Sequence, residues 1–201
     1  MDNVNKLTEI FSHFPGIGPR QAKRFVYHLL NQGDFANKQL ADLILELKKE
    51  TGSCHTCKRF HKSRDCHICT ICQDEKRDHK ALMIVAKDVD LENIEKSGSF
   101  RGLYFVLGGL IPVLEKNPET KIHQTELLET LKKMPELKEI ILALSATTEG
   151  DYTADYLKRV LAPLLTERGV TISMLGRGLS TGTELEYSDS DTIKNALKNR
   201  E

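Results

Sequence analysis

The sequence predicts an α/β multidomain protein, with a small helical module and a metal-binding knuckle placed ahead of a parallel-sheet domain. Three observations predict it. Two amphipathic stretches flank a glycine-punctuated turn near the N-terminus. All five cysteines fall in one run, from Cys54 to Cys72. From residue 81 onwards, short apolar runs rich in branched side chains alternate with helical stretches, the pattern of a parallel sheet covered on both faces.

Residues 3–14 place Val4, Leu7, Ile10, Phe11 and Phe14 at helical spacing. The turn Phe14-Pro15-Gly16-Ile17-Gly18-Pro19 follows, and Pro19 suits the first turn of a second helix, predicted over Pro19 to Asn31. At about 100° per residue this helix separates Ala22, Phe25, Val26 and Leu29 from an opposite face of Arg20, Lys23, Arg24 and Tyr27. Gly16 and Gly18 let backbone N–H groups come close to a phosphate, and the helix N-terminus adds partial positive charge. The basic stripe holds neighbouring phosphates without reading bases. Helix, Gly-h-Gly hairpin, helix is the pattern of the helix-hairpin-helix DNA-binding motif, so Gly16, Gly18, Arg20, Lys23 and Arg24 are the candidate DNA-binding residues. The competing reading is a plain helical hairpin with a solvated basic face; the coincidence of glycines and stripe favours DNA. Residues 38–50 predict a third amphipathic helix, with Leu40, Leu43, Ile44 and Leu47 turned inwards to complete the module.

The run GSCHTCKRFHKSRDCHICTIC contains three C-x-x-C pairs: Cys54/Cys57, Cys66/Cys69 and Cys69/Cys72. Two such turns supply the tetrahedral sulfur set that zinc prefers. Binding then contributes folding free energy, roughly 10–16 kcal/mol in zinc-finger peptides, enough to order a knuckle with no core of its own. An odd cysteine count and the absence of a secretory signal weigh against disulfides. Cys54, Cys57 and Cys69 are common to the alternatives, and either Cys66 or Cys72 completes the set. His55, His61 and His67 are not needed as ligands. Lys58, Arg59, Lys62 and Arg64, between the pairs, read as a solvated loop.

ALMIVAK (81–87), LYFVLGG (103–109), EIILALS (139–145) and VTISML (170–175) read as buried strands, with helices near 91–96, 124–133 and 151–167. Pro163 is expected to kink the last helix or end its first half. The tail, 176–201, reads as a loop with a short strand and a closing helix, DTIKNALKN. Hydrophobic content of 39% and charged content of 29% describe a soluble globular chain. No apolar run approaches membrane-spanning length and Met1-Asp2-Asn3 opens no targeting peptide, so a reducing cytoplasm is the expected location. The net charge of zero divides into +4 over residues 1–80 and −4 over 81–201, which turns the front of the chain towards a polyanion.

In this order the pieces resemble the bacterial recombination mediator family RecR over nearly the whole chain. The matching stretches are FPGIGPRQAKR, the cysteine knuckles, ICQDEKRD (71–78), GSFRGLYFVLGG (98–109), TEGDYTADYL (148–157), GLSTGTELEY (178–187) and the IKNAL helix. The resemblance implies a helix-hairpin-helix module (1–53), a zinc finger (54–78), a Toprim-like α/β domain (79–175) and a C-terminal segment (176–201). It implies a ring-like homotetramer that encircles DNA and, with RecO and RecF, loads recombinase onto gapped DNA. The family's DNA-contacting basic positions fall on Arg20 and Arg24. Its C-x-D-x-x-R-D signature falls on Cys72 to Asp78, which selects Cys54, Cys57, Cys69 and Cys72 as zinc ligands and leaves Cys66 as the alternative to Cys72. The chain departs from the family at Arg177, where a histidine is usual, at Ser180, where a proline is usual, and over LIPVLEKNPETKIHQ.

The alternative reading is a magnesium-dependent Toprim enzyme that nicks or primes DNA. Such enzymes resemble this domain and use a glutamate after the first strand plus an Asp-x-Asp pair; here Ala86 takes the first position, with Lys87 beside it. Asp88, Glu149 and Asp151 are the candidate acids for a weak magnesium site. A protein-interaction scaffold without DNA contact is a third class. The expectation is a non-catalytic, DNA-binding mediator with structural zinc.

Overall fold

A computed structural model describes residues 2–62, 66–179, 181–182 and 184–199; Arg64 and Ser180 lie outside them. Two compact units divide the chain, Met1–Thr51 and Gly52–Glu201.

The first unit holds α1 (Asn3–Ser12), α2 (Pro19–Asn31) and α3 (Asp34–Glu50). Asp2 caps α1 by accepting the Asn5 N–H at 2.8 Å. Ala22 and Val26 of α2 are buried, and Phe11 meets Phe14 and Phe25 edge-on. Two expectations fail here. Phe25 remains 44% exposed, because its ring packs only by an edge against Phe11. In α3 no residue is buried, and Leu40, Leu43, Ile44 and Leu47, expected inside, are 42–64% exposed. About fifty residues in three helices have too little mass to cover every apolar stripe. The stripes instead border an open hollow of about 590 Å³, lined by Leu7, Ile10, Phe14, Leu30, Leu40 and Ile44 among others.

In the second unit, β1 (Thr51–Ser53) and β2 (Phe60–Lys62) form a two-stranded ribbon, followed by α4 (Thr70–Gln73). Then come β3 (Asp78–Val85), α5 (Asp88–Ser97), β4 (Gly102–Val106), α6 (Gln124–Lys132), β5 (Glu139–Ala143), α7 (Thr148–Thr166), β6 (Thr171–Met174) and α8 (Ser190–Lys198). The four long-range strands form one parallel sheet in the order β4-β3-β5-β6.

Alternation along the strands sends side chains to two faces. Leu82 and Ile84 of β3 align with Leu103 and Phe105 of β4 and with Ile140 and Leu142 of β5. This face is buried under Leu127 and Leu131 of α6 and Leu157, Leu161 and Leu165 of α7. Met83, Val85, Tyr104 and Val106 point the other way, against Leu91 of α5 and against Cys54, Cys57, Cys69 and Ile71. The cysteine knuckle is thus part of the sheet's second covering layer. Val106 N–H donates to Cys57 O at 2.8 Å, and the Thr130 hydroxyl donates to Thr56 O at 3.1 Å.

Pro163 does not end its helix: α7 runs through it to Thr166. The proline removes one backbone donor near the helix end, while Leu157, Leu161 and Leu165, all buried, anchor the turns around it. The tail contains a 3-10 turn at Leu185–Tyr187 and then α8; among the described residues it contributes no strand. Asp189 caps α8, accepting from the Asp191 and Thr192 N–H groups at 2.9 Å.

Candidate nucleic-acid interface and metal centre

The hairpin between α1 and α2 is built from a tight turn. Pro15 and Gly16 occupy its centre, Ile17 N–H donates to Phe14 O at 3.0 Å, and Gly16 has φ +75. A positive φ after proline is the type II pattern, which glycine adopts without the steric cost of a Cβ. Gly18 is different. It is the N-cap of α2 in an extended conformation (φ −82, ψ 167), and a Cβ built on it meets nothing within 4 Å. No side chain caps α2 and no acid lies in its first turn. The first-turn N–H groups of α2 therefore face outward with the helix's positive end.

Arg20, Lys23 and Arg24 are exposed on α2, as predicted. None of the ion pairs among the described residues involves them. Lys23 Nζ lies 6.0 Å from the centre of the Tyr27 ring. The hairpin thus offers backbone donors and exposed cations side by side, a surface chemically suited to phosphate.

The structure brings Cys54, Cys57, Cys69 and Cys72 together, with all four sulfurs within 4.8 Å of one another. Tetrahedral coordination with bonds of about 2.3 Å separates sulfurs by about 3.8 Å, so the donor set fits a zinc-sized ion. Cys54, Cys57 and Cys69 are buried and Cys72 half-buried. Short turns place them: Cys54 N–H donates to Arg59 O at 2.8 Å and Lys58 N–H to Cys54 O at 2.9 Å. Cys69 N–H donates to Cys54 Sγ at 3.3 Å, a contact that favours thiolate. The sulfurs are electrostatically interdependent. Hydrogen bonds from Cys57, Cys69 and Cys72 pull Cys54 far below the ordinary thiol range, whereas those with Cys54 and its neighbours push Cys57 and Cys72 far above it. Cys69 settles at about 6, raised by its hydrogen bond with Cys54 and lowered by those from Cys57 and Cys72. Cys66 is exposed outside the cluster, its sulfur accepting from Gln73 Nε2 at 2.8 Å and donating to Ile68 O at 3.0 Å. His55 and His67 are not ligands in this arrangement; their rings stack at 4.6 Å.

The candidate magnesium acids are placed differently. Asp88 accepts the Phe60 N–H at 2.7 Å, and Asp151 is held by both terminal nitrogens of Arg177. That guanidinium draws the Asp151 carboxyl below the usual carboxylate range. Glu149 lies in the first turn of α7. Among the described residues the cysteine set is the one group of three or more metal-binding side chains that converges; the three acids do not. Ala86 and Lys87 directly follow β3.

Two ion pairs escaped the sequence reading. Arg77, in the segment after α4, grips both carboxylate oxygens of Glu95 on α5 and donates to Gly102 O at 3.0 Å. Burial disfavours charge at both sites, but the mutual hydrogen bonds prevail, raising Arg77 and lowering Glu95. Arg177 ties the tail to α7 in the same manner, and its carbonyl accepts from Asn199 Nδ2 at 2.7 Å.

Comparison with known proteins assigns the parts. A RecR helix-hairpin-helix family model matches residues 4–48, a RecR C-terminal model matches 178–201 and a Toprim domain model matches 80–176. The chain is 37% identical to "Recombination protein RecR" of Bifidobacterium animalis subsp. lactis over 197 residues, 98% of this chain and 94% of that protein. The chain belongs to the RecR family. The RecR protein of Synechococcus sp. is 39% identical over 195 residues, 97% of each chain, and that of Staphylococcus saprophyticus 34% over 197 residues. RecR models thus cover both ends of the chain, the hairpin with its exposed cations included, and the Toprim match covers β4, β5, β6 and β3 from Lys80 onwards. No helix among the described residues is long and apolar enough to cross a membrane.

Proposed function

We propose that this RecR-family protein is a non-catalytic DNA clamp of recombinational repair. It works in the cytoplasm, binds DNA without regard to sequence, and acts with RecO- and RecF-type partners to load recombinase onto gapped DNA. The observation that carries the reading is the uncapped N-terminus of α2 beside three exposed cations that no ion pair among the described residues engages. Backbone donors near Gly16 and Gly18 receive one phosphate, and Arg20, Lys23 and Arg24 hold its neighbours; nothing in this set reads a base edge.

Zinc, held by Cys54, Cys57, Cys69 and Cys72, supplies cross-linking rather than chemistry. The burial of three of these sulfurs against β3 and β4 supports that role. Several copies joined in a ring tetramer would line one lumen with hairpins, so that individually weak contacts add. The exposed apolar stripes of α1 to α3 support self-association. Asp88 and Asp151 are engaged by Phe60 N–H and by Arg177, and the position after β3 is Ala86 rather than an acid; the non-catalytic reading takes these acids as structural.

Binding to duplex DNA at several salt concentrations tests the proposal. Replacing Arg20 and Arg24 together by alanine should weaken binding equally across sequences and flatten the slope of log K against log salt by about 1.8, at about 0.9 per phosphate. A double variant that binds as the parent does removes the hairpin from the interface.

A further inference from the structure

The metal-binding segment carries one thiol more than a tetrahedral site needs, and its placement is informative. Cys66 and Cys72 lie three residues to either side of Cys69. Cys69 is the N-cap of α4, in an extended conformation (φ −75, ψ 162), so it forms the junction between the segment that carries Cys66 and the helix that carries Cys72. The Cys66 sulfur lies alongside that junction. It donates to the carbonyl of Ile68, which precedes Cys69, and accepts from the side chain of Gln73, which follows Cys72.

The four clustered sulfurs are unequally protected. Cys54, Cys57 and Cys69 are at most 1% exposed, while Cys72 is only half-buried on a four-residue helix. Cys72 is therefore the ligand most open to solvent and to oxidants. Zinc imposes no directional preference from its d-electrons and accepts a fifth ligand transiently, so one thiolate can replace another without the ion leaving.

We infer that Cys66 is a reserve metal ligand, which takes the fourth position when Cys72 is lost or blocked and forms the alternative set Cys54, Cys57, Cys66 and Cys69. The inference rests on the zinc reading above and adds to it a second ligand set. Exchange needs the segment from Cys66 to Ile68 to turn about Cys69, exchanging the Cys66 contacts with Ile68 and Gln73 and loosening the bond from His55 N–H to His67 O and the stacking of the two rings, while the three buried sulfurs stay where they are. The site would then tolerate damage at its exposed corner.

Full-length protein loaded with cobalt(II), whose thiolate charge-transfer absorption scales with the number of sulfur ligands, reads this out. Wild type, Cys72→Ser and the Cys66→Ser/Cys72→Ser double variant are compared. Cys72→Ser should keep the four-thiolate intensity of the parent, and the double variant should lose about a quarter of it, as one sulfur of four is replaced. Alkylation mapped by mass spectrometry gives a second reading: Cys66 is labelled in the metal-loaded parent and protected in metal-loaded Cys72→Ser. Cys72→Ser that matches the double variant in absorption, leaves Cys66 open to alkylation, or fails to fold overturns the inference. A wild-type protein that takes up neither cobalt nor zinc instead overturns the metal reading beneath it.

Discussion

Gly18 leaves α2 without a capping side chain although its Cβ position is open. Gly18→Asp separates stability from binding. An aspartate there caps the helix and complements its dipole, adding a few tenths to about 1 kcal/mol of stability. It also puts a carboxylate where the phosphate belongs. Thermal unfolding should shift upward slightly while DNA affinity falls at least tenfold; unchanged affinity would place the phosphate elsewhere. Glu95 gives a pH prediction. Its carboxyl is held below the usual range, so the stability it adds is present above the unfolded pKa of about 4.3 and is lost as pH falls through the lower folded value. Unfolding followed from pH 6 down to 3 should show this loss, and Glu95→Gln should be less stable at neutral pH with a flatter acid limb. Identical limbs would contradict the assignment. Neither ion pair was legible in the sequence, because Arg77 and Glu95 are 18 residues apart and Arg177 and Asp151 are 26 apart, with no local pattern to join them. The hairpin was legible, because Gly16, Gly18, Pro19 and the cation spacing all act within one turn.

Among the elements, periodicity identified the helices and strands but not what covers them. Pro19 and Gly18 fixed the start of α2, and the branched runs fixed β3 to β6 to within a few residues. The stripe of α3 was equally clear, yet Leu43, Ile44 and Leu47 are exposed, because periodicity reports a face and not its occupant. The cysteine set is similar: spacing suggested a self-contained knuckle, whereas Cys54, Cys57 and Cys69 are packed on Met83, Val85 and Val106. Spacing carries no information about what lies on the knuckle's far side. That α7 continues past Pro163 was not legible, because a local breaker carries no information about Leu157, Leu161 and Leu165, whose burial anchors the turns around it. The proposed ring assigns the α3 face to a second copy. Leu43→Glu with Leu47→Glu should therefore lower the assembled mass in sedimentation by at least half and leave the monomer folded. An assembly that survives both charges would place the contact on another surface.

For the whole molecule, a chain with no net charge holds a polyanion only if its cations are gathered on one surface and multiplied by assembly. The +4 over residues 1–80, which include the hairpin, and the −4 over residues 81–201 fit that division of labour. Of the acids that follow the sheet strands, Asp88 accepts from Phe60 N–H and Asp151 from Arg177. The most direct test of the central claim is retention on plasmid DNA, in magnesium, as salt is raised after loading. Protein loaded on a covalently closed circle should stay, the same protein on a linearised plasmid should slide free, and the circle should keep its supercoiling throughout. Equal loss from both forms would contradict encirclement, and a nicked or relaxed circle would contradict a clamp that does no chemistry.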